Sequence, residues 1–435
     1  MKKILLVSAV VFTIGITVNA QTAADAGKET KYRRSSLHLI LLESDNFPSK
    51  EIVTKAYNAN PFPDKYNNHT IADKSFDPKK YALTAAEKPA KSAAENALGS
   101  AAQDATGGLI DKDAADMPLI INKYIKQSKL ANKLVAKWFN RQADGSFDGN
   151  LVAERGIFDA SFIDKKKAGA SNNGNSILMR AGEELIPNTF VVFTKMNYFP
   201  NEPIAAILRD AAKLKAQDIK MEMLRQKAMQ AADAAYDKAK EGYSVWTKSY
   251  LYQLKWNDTI SNEFYNNQYM EKGTVDAKKK AAFDNYNYTL VPIGEDNAVS
   301  LVTFSLKENR TEQQIIELAT KRNVDKVFAK LQKKYEVFKT KTPLFTADPI
   351  TAKIGMKEGL EDGDKYEVLE NNIDPETGKS EYKQVTTIKV KKGMIWDNTA
   401  GAELTADPSK PAIDRTTFDG KSKNLYPGLL IRQIN

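Results

Sequence analysis

The sequence predicts an α+β fold: a mixed α/β main region with a long amphipathic helix between two strands, followed by a small antiparallel β-domain at the C-terminus. The stretch from Asn188 to Trp256 carries the first half of this reading. Asn188 to Phe199 is dense in β-branched and aromatic residues and ends at Pro200, as a strand does. Asn201 can cap a helix whose apolar positions step by three and four through Ile204, Ile207, Ala211 and Leu214, resuming at Met221, Leu224, Ala228, Ala231 and Ala235. That helix ends near Gly242. Tyr243 to Trp256 returns as a strand in which Trp246, Tyr250, Tyr252, Leu254 and Trp256 share one face by the period of two, a face that is either core or a binding surface. The second half rests on the chain beyond Pro343–Pro349, where helical periodicity gives way to Lys365–Leu369, Val385–Lys391, Met394–Trp396 and Leu429–Arg432 among Gly-rich turns.

Taken in order, residues 1–20 read as a Sec-type signal peptide. Lys2 and Lys3 are the basic start, Ile4 to Val18 the apolar stretch, and Val18-Asn19-Ala20 the small residues before a cut at Gln21. Residues 21–31 are a flexible polar leader, and 32–343 form the main α+β region, as one unit or as two subdomains. Ser35 to Leu42 is a strand containing His38, and Phe47 to Tyr81 reads as irregular chain clamped by Phe47, Tyr57, Phe62 and Tyr66. Residues 84–113 include an Ala- and Gly-rich loop. Pro118 to Phe139 has the spacing of one helix, and a second helical or mixed element follows through Leu151 to Phe158. Ala168 to Asn175 is a loop, Ser176 to Ile186 a short helix, and Phe264 to Tyr269 helical. Tyr288 to Phe304 suggests a hairpin turning at Gly294-Glu-Asp-Asn297. Thr311 with Gln314 is a capping box opening a helix that runs towards Phe338. Residues 344–435 form the β-domain, a sandwich or open barrel.

Composition bounds the partners. The 435 residues include no cysteine, which excludes disulfides, thiolate metal sites and a lipoprotein anchor. No segment after the signal is long and apolar enough to span a bilayer as a helix. Net charge is +9, or +7 without Lys2 and Lys3, and it is spread over many Lys mixed with Asp and Glu. A nucleic-acid protein concentrates its charge on one face or arm, so no nucleic-acid partner is expected.

Candidate chemistry is thin. His38 and His69 are the only histidines; His38 sits in an apolar strand as a structural residue, and His69, among Asn67, Asn68 and Thr70, reads as exposed and inert. Ser380 and Lys383 match a Ser-x-x-Lys pair, but in a strand beside a turn. Gly169 to Ser176 has the outline of a phosphate loop with Asn175 where its Lys should stand. Asp144, Ser146, Asp148 and Asn150 approach a calcium loop, yet Arg155 occupies the place of its bidentate Glu. These segments and Glu361-Asp-Gly-Asp364 read as turns or loops, and no cofactor or metal is expected. Two carboxylates suited to glycoside hydrolysis cannot be singled out among 55 acids. The aromatic face Trp246, Tyr250, Tyr252 and Trp256 is the candidate surface for stacking on a glycan.

The signal, the missing cysteine, the Lys- and Asn-rich exterior and the phrases Arg34-Ser-Ser-Leu37, Glu183 to Phe190 and Ser249 to Asn257 resemble secreted cell-envelope proteins of the Bacteroidetes, some of them surface-layer-like. The resemblance implies a non-enzymatic cell-surface structural protein that self-associates or attaches to an outer-membrane protein. A periplasmic or surface binding module for a glycan or protein is the alternative expectation. Asp258-Thr259-Ile260 likewise resembles the O-glycosylation sequon of these bacteria, making Thr259 a candidate acceptor.

Overall fold

Two predominantly apolar runs build the centre of the fold. Ser36–Leu42 forms β1 and, after the short strands β2 (Asn67–Asn68) and β3 (Ser75–Phe76), Thr189–Pro200 forms β4. In the computed structural model, which describes residues 32–88, 115–159, 180–302, 311–374, 379–402, 413–421 and 423–434, β1 pairs in parallel with β4 from Ser36 opposite Thr189 to Leu42 opposite Lys195. Both faces of this pair are covered, which is why its sequences do not alternate. β2 and β3 pair in parallel with the two ends of β1. On the other side β5 (Tyr243–Leu254) lies antiparallel to β4 and β6 (Leu290–Val302) antiparallel to β5, giving the order β2-β1-β4-β5-β6 with β3 also on β1.

Nine helices of nine or more residues lie among the described residues: α1 (Lys50–Asn58), α2 (Met117–Gln127), α3 (Leu130–Trp138), α4 (Asn150–Asp159), α5 (Asn201–Gln217), α6 (Glu222–Ala239), α7 (Asp258–Asn267), α8 (Ala277–Asn285) and α9 (Glu312–Lys334). One sheet face, with Ile40, Val191, Phe193, Tyr250 and Tyr252, packs under α2, α3, α4, α7 and α8 through side chains such as Trp138, Phe264 and Phe283. The opposite face, with Leu37, Phe190, Val192 and Leu251, packs against α1 and α9 through Tyr57, Ile315 and Val327. Helices α5 and α6 pack on each other.

The C-terminal strands β7 (Thr342–Ala347), β8 (Ile350–Ala352), β9 (Lys365–Ile373), β10 (Ser380–Val390), β11 (Thr416–Asp419) and β12 (Leu430–Ile434) close into an antiparallel barrel in the order β10-β11-β8-β7-β12-β9. Ile350, Tyr366, Val368, Ile388, Phe418 and Ile431 fill it. The fold is therefore α+β, with a closed barrel where the sequence suggested a sandwich or open barrel; closure removes the edges that an open sheet would leave.

Other expectations are corrected. The single helix expected across Pro118–Phe139 breaks between α2 and α3 at Lys129, whose φ of 54° is left-handed. The long helix after Asn201 is two antiparallel helices joined by a turn at 218–221. Asn201 does not cap it: its amide donates to the Glu241 carbonyl (3.2 Å) and its carbonyl accepts from Ser244 Oγ (2.8 Å), tying the base of the helical hairpin shut. The expected turn at Gly294–Asn297 lies inside β6, where the register shifts opposite Leu251/Tyr252. Tyr335, just after α9, holds that irregularity by donating its hydroxyl to the Glu295 carbonyl and accepting from the Glu295 amide, both at 2.8 Å. A Cβ on Gly294 would collide with the Tyr335 ring, so glycine here serves a close approach rather than a turn. Within the region expected to be irregular, α1 forms behind an N-cap, Ser49 accepting from the Ile52 amide. The expected signal and leader, most of the Ala- and Gly-rich stretch and the Gly169–Ser176 segment lie outside the described residues.

Candidate functional site

Strand lengths decide where the sheet is open. β1 ends at Leu42, opposite Lys195, whereas β4 continues for five more residues paired only to β5. By the alternation of a strand, Lys195, Asn197 and Phe199 point to the same side as Phe193, and the register places Asn197 beside Trp246 and Trp246 beside Val299. Beyond Phe193 none of these residues is buried; Trp246 is 36% and Val299 51% exposed. A crevice of about 350 Å³ runs along this open face, with Glu43, Asp45, Lys79, Asp116, Lys195 and Phe199 on its walls. It lies beyond the carboxyl ends of β1 and β3, the place where open parallel sheets most often take ligands.

The charges around the crevice are paired. Glu43 binds Lys50 at 2.5 Å and accepts from Ser75 Oγ at 2.9 Å, and the Lys50 ammonium holds its carboxyl below the usual range although partial burial works the other way. Asp45 is bonded to Lys79, and Asp116 lies 3.4 Å from Lys88. Among the described residues the one carboxyl pushed up is Asp325 on α9, to about 6, by burial beside Glu358 and Ala400; Lys357, 3.6 Å away, opposes that shift. The crevice thus offers hydrogen-bonding and ionic groups beside an aromatic edge, Trp246 packed edge-on to Phe199 with centroids 5.8 Å apart. That chemistry suits holding a polar ligand. Among the described residues no group of three or more His, Asp or Glu is placed to hold a metal ion.

The expected aromatic face is divided. Tyr250 and Tyr252 are only 3% and 1% exposed, sealed beneath the helices of the first face, so they are core and not binding surface. Trp256, past the end of β5, is partly buried and stacks on Tyr288 with centroids 6.0 Å apart, beside Phe139 and Phe264. Trp246 alone of the four stands open, because the covering helices reach only the C-terminal half of β5. No protein-family model and no curated protein matches the chain. The functional reading therefore rests on the geometry and the sequence. Lys195 and Asn197, which the sequence reading passed over, were signalled by polar residues at alternate positions in an otherwise apolar strand.

Thr259 is exposed in the first turn of α7, which Asn257 caps by accepting from the Ile260 amide at 3.0 Å. A shallow groove lined by Thr259, Asn262, Glu263, Asn266, Asn267 and Tyr286 surrounds it. The acidic turns are satisfied internally: Asp144 accepts from the Ser146 amide and hydroxyl, Asp148 from the Asn150 amide, and Asp364 from the Glu361 amide. Ser380 opens strand β10, as its sequence context suggested.

Both histidines are structural. His38 is fully buried; its Nε2–H donates to the Asp73 carbonyl at 2.8 Å and its Nδ1 accepts from the Ile71 amide at 3.5 Å, a pair of bonds that only the neutral ring can make. Burial pushes its pKa down to about 4. The expectation that His69 is exposed is wrong: it is fully buried, donates to the Leu134 carbonyl at 2.9 Å and lies against Trp138. Burial, reinforced by the Arg155 charge, holds it well below its ordinary value. Arg155 is itself buried, its guanidinium 4.1 Å over the Trp138 ring and donating to Ser36 Oγ and the Asn68 carbonyl. Burial lowers its pKa to about 9.

Proposed function

We propose that the protein is a non-enzymatic, exported structural protein of the cell surface that self-associates through the α5–α6 hairpin. The observation that carries this reading is the exposure of that hairpin. Ile207, Leu208, Leu214, Met221 and Met223 are 63–69% exposed and Leu224 47%, an unusual density of large apolar side chains on a helical hairpin that buries little more than Ala205, Ala216 and Ala232. The signal-like start of the sequence supplies the route out of the cell.

Charge selects the occupant. The outer part of the hairpin, residues 213–227, carries Lys213, Lys215, Lys220, Arg225 and Lys227 against Asp218 and Glu222, a balance of +3. The inner part carries Arg209, Lys238 and Lys240 against Glu202, Asp210, Asp233, Asp237 and Glu241, a balance of −2. A second copy laid antiparallel sets each basic tip on an acidic base and joins the apolar faces into a four-helix contact with two-fold symmetry. Sedimentation velocity tests this: the wild-type mass should rise with concentration and fall at high salt. The triple variant Leu208→Gln, Leu214→Gln, Met223→Gln should weaken association by at least about tenfold, since loss of central apolar anchors costs on the order of 1–2 kcal/mol each. A wild-type protein that stays monomeric at the highest soluble concentration, with and without divalent cations, ends this reading.

The open crevice favours one second reading, a surface or periplasmic binding module for a glycan, because Trp246, which packs on Phe199 of the crevice wall, stands exposed next to it. Quenching of tryptophan fluorescence by a polysaccharide, lost in Trp246→Ala, is its test. Thr259 is proposed as a glycan acceptor on the resemblance of its sequon and its exposed hydroxyl. In native protein the peptide spanning Thr259 should carry a hexose-type mass increment that disappears in Thr259→Ala; an unmodified native peptide refutes the assignment.

A further inference from the structure

A second cavity, of about 160 Å³, lies where α9 hands over to the barrel. Its walls come from three directions: Arg34 and Ser35 ahead of β1, Lys65 and Asn188 ahead of β2 and β4, and the connecting segment Glu336–Lys341 together with Arg432 of β12. Five of these lining side chains are cations and Glu336 is the one carboxylate. The cations are not all solvent-facing. The Lys339 side chain is 8% and the Lys65 side chain 10% exposed, whereas Glu336, at 61%, sits at the mouth.

Apart from Glu336, the carboxylates paired with these cations lie outside the cavity lining. Glu336 is shared, 3.0 Å from Lys339 and 2.8 Å from Arg432, and Arg432 also holds Glu367 of β9. Arg34 is 2.6 Å from Glu184, whose other oxygen accepts from the Ser380 amide. Lys65 donates to the Lys353 carbonyl at 3.0 Å, with Asp64 at 3.4 Å, and Lys341 lies over the Tyr382 ring. The remaining polar walls, Ser35, Asn188 and Thr340, can all donate hydrogen bonds. At about 30 Å³ per water, the cavity has room for about five waters or one compact oxyanion with part of its substituent.

We propose that this cavity is a binding site for a tetrahedral oxyanion, a phosphate or phosphomonoester, which joins the main region to the barrel. The ligand replaces the shared Glu336 carboxylate as the partner of Lys339 and Arg432, and Arg supplies the planar fork that such groups accept. Because its contacts come from both the sheet region and β12, the bound anion opposes separation of the two. It stabilises the folded chain by mass action.

The sign of two substitutions separates this role from a structural one. Inorganic phosphate, titrated at constant ionic strength against chloride and followed by thermal unfolding and calorimetry, should give saturable binding to the wild-type chain. Lys339→Gln should weaken it about tenfold, whereas Glu336→Gln, which removes the competing carboxylate, should tighten it about three- to tenfold. Glucose 6-phosphate distinguishes the source: tighter binding than inorganic phosphate assigns the site to a phosphomonoester, and equal or weaker binding assigns it to the free anion. No saturable response beyond that of chloride, or a Glu336→Gln chain that binds no more tightly than wild type, overturns the proposal.

Discussion

Lowering the pH from 7 towards 4.5 should destabilise this protein through its two histidines, and replacing both should flatten that loss. Their folded-state pKa values lie below the ordinary 6.5, His38 at about 4 and His69 well below. The unfolded chain therefore binds protons between pH 6.5 and 4 that the folded chain refuses, so stability present above pH 6.5 is lost as the pH falls through that window. Each imbalance of one proton contributes a slope of about 1.4 kcal/mol per pH unit, and His38 alone accounts for about 3 kcal/mol across the window. Asp325 acts in the opposite sense. Its folded pKa, raised to about 6, lets the native state take up a proton that the unfolded chain accepts only nearer 3.8, which offsets one imidazole but not two. Urea unfolding at a series of pH values should give a steep acid limb for wild type. The His38→Gln/His69→Gln chain should be weaker at neutral pH, because two buried hydrogen-bond networks are cut, yet show a shallower or reversed slope. An unchanged slope would mean that neither imidazole is held neutral.

Phe338→Ala should cost about 3–5 kcal/mol, the range for truncating a fully buried aromatic. Phe338 is 0% exposed and touches Tyr66 (centroids 5.0 Å), Phe190 of β4 (5.1 Å) and Phe328 of α9 (6.1 Å), while its carbonyl accepts from the Tyr66 hydroxyl at 3.0 Å. One side chain thus joins sheet, helix and the segment leading into the barrel. The urea midpoint measures the loss, and protease cutting at Lys339 or Lys341 should speed up in parallel. A change below about 1 kcal/mol would show that the cavity collapses around the missing ring.

What the sequence made legible was what short-range physics decides. β1 and β4 are readable because burial on both faces demands an apolar run, and α9 because Thr311 and Gln314 form both bonds of the capping box. The turn between α5 and α6 was hidden because Asp218-Ile219-Lys220-Met221 contains neither Gly nor Pro. Gly294-Glu-Asp-Asn297 misled for the opposite reason: its composition is that of a turn, but the Tyr335 clamp and pairing along β5 keep it in strand. His69 misled because its neighbours are polar while its partners, Leu134 and Trp138, lie far along the chain. Of the candidate site only Trp246 was anticipated. The open sheet end depends on β1 stopping seven residues in, and the six-strand closure of the barrel on pairing between distant strands; neither is a local property.

The register of β4 and β5 has a consequence for how this molecule can vary. Pro200 sits directly opposite Tyr243, so the two ends of the α5–α6 excursion lie one strand spacing apart, about 5 Å, and the Asn201–Ser244 contact already fastens them. The sheet thereby acts as a socket. Any insert whose termini meet at that spacing, from a tight two-residue turn to a whole folded module, can be seated between Pro200 and Tyr243 without shifting a single cross-strand pair below it.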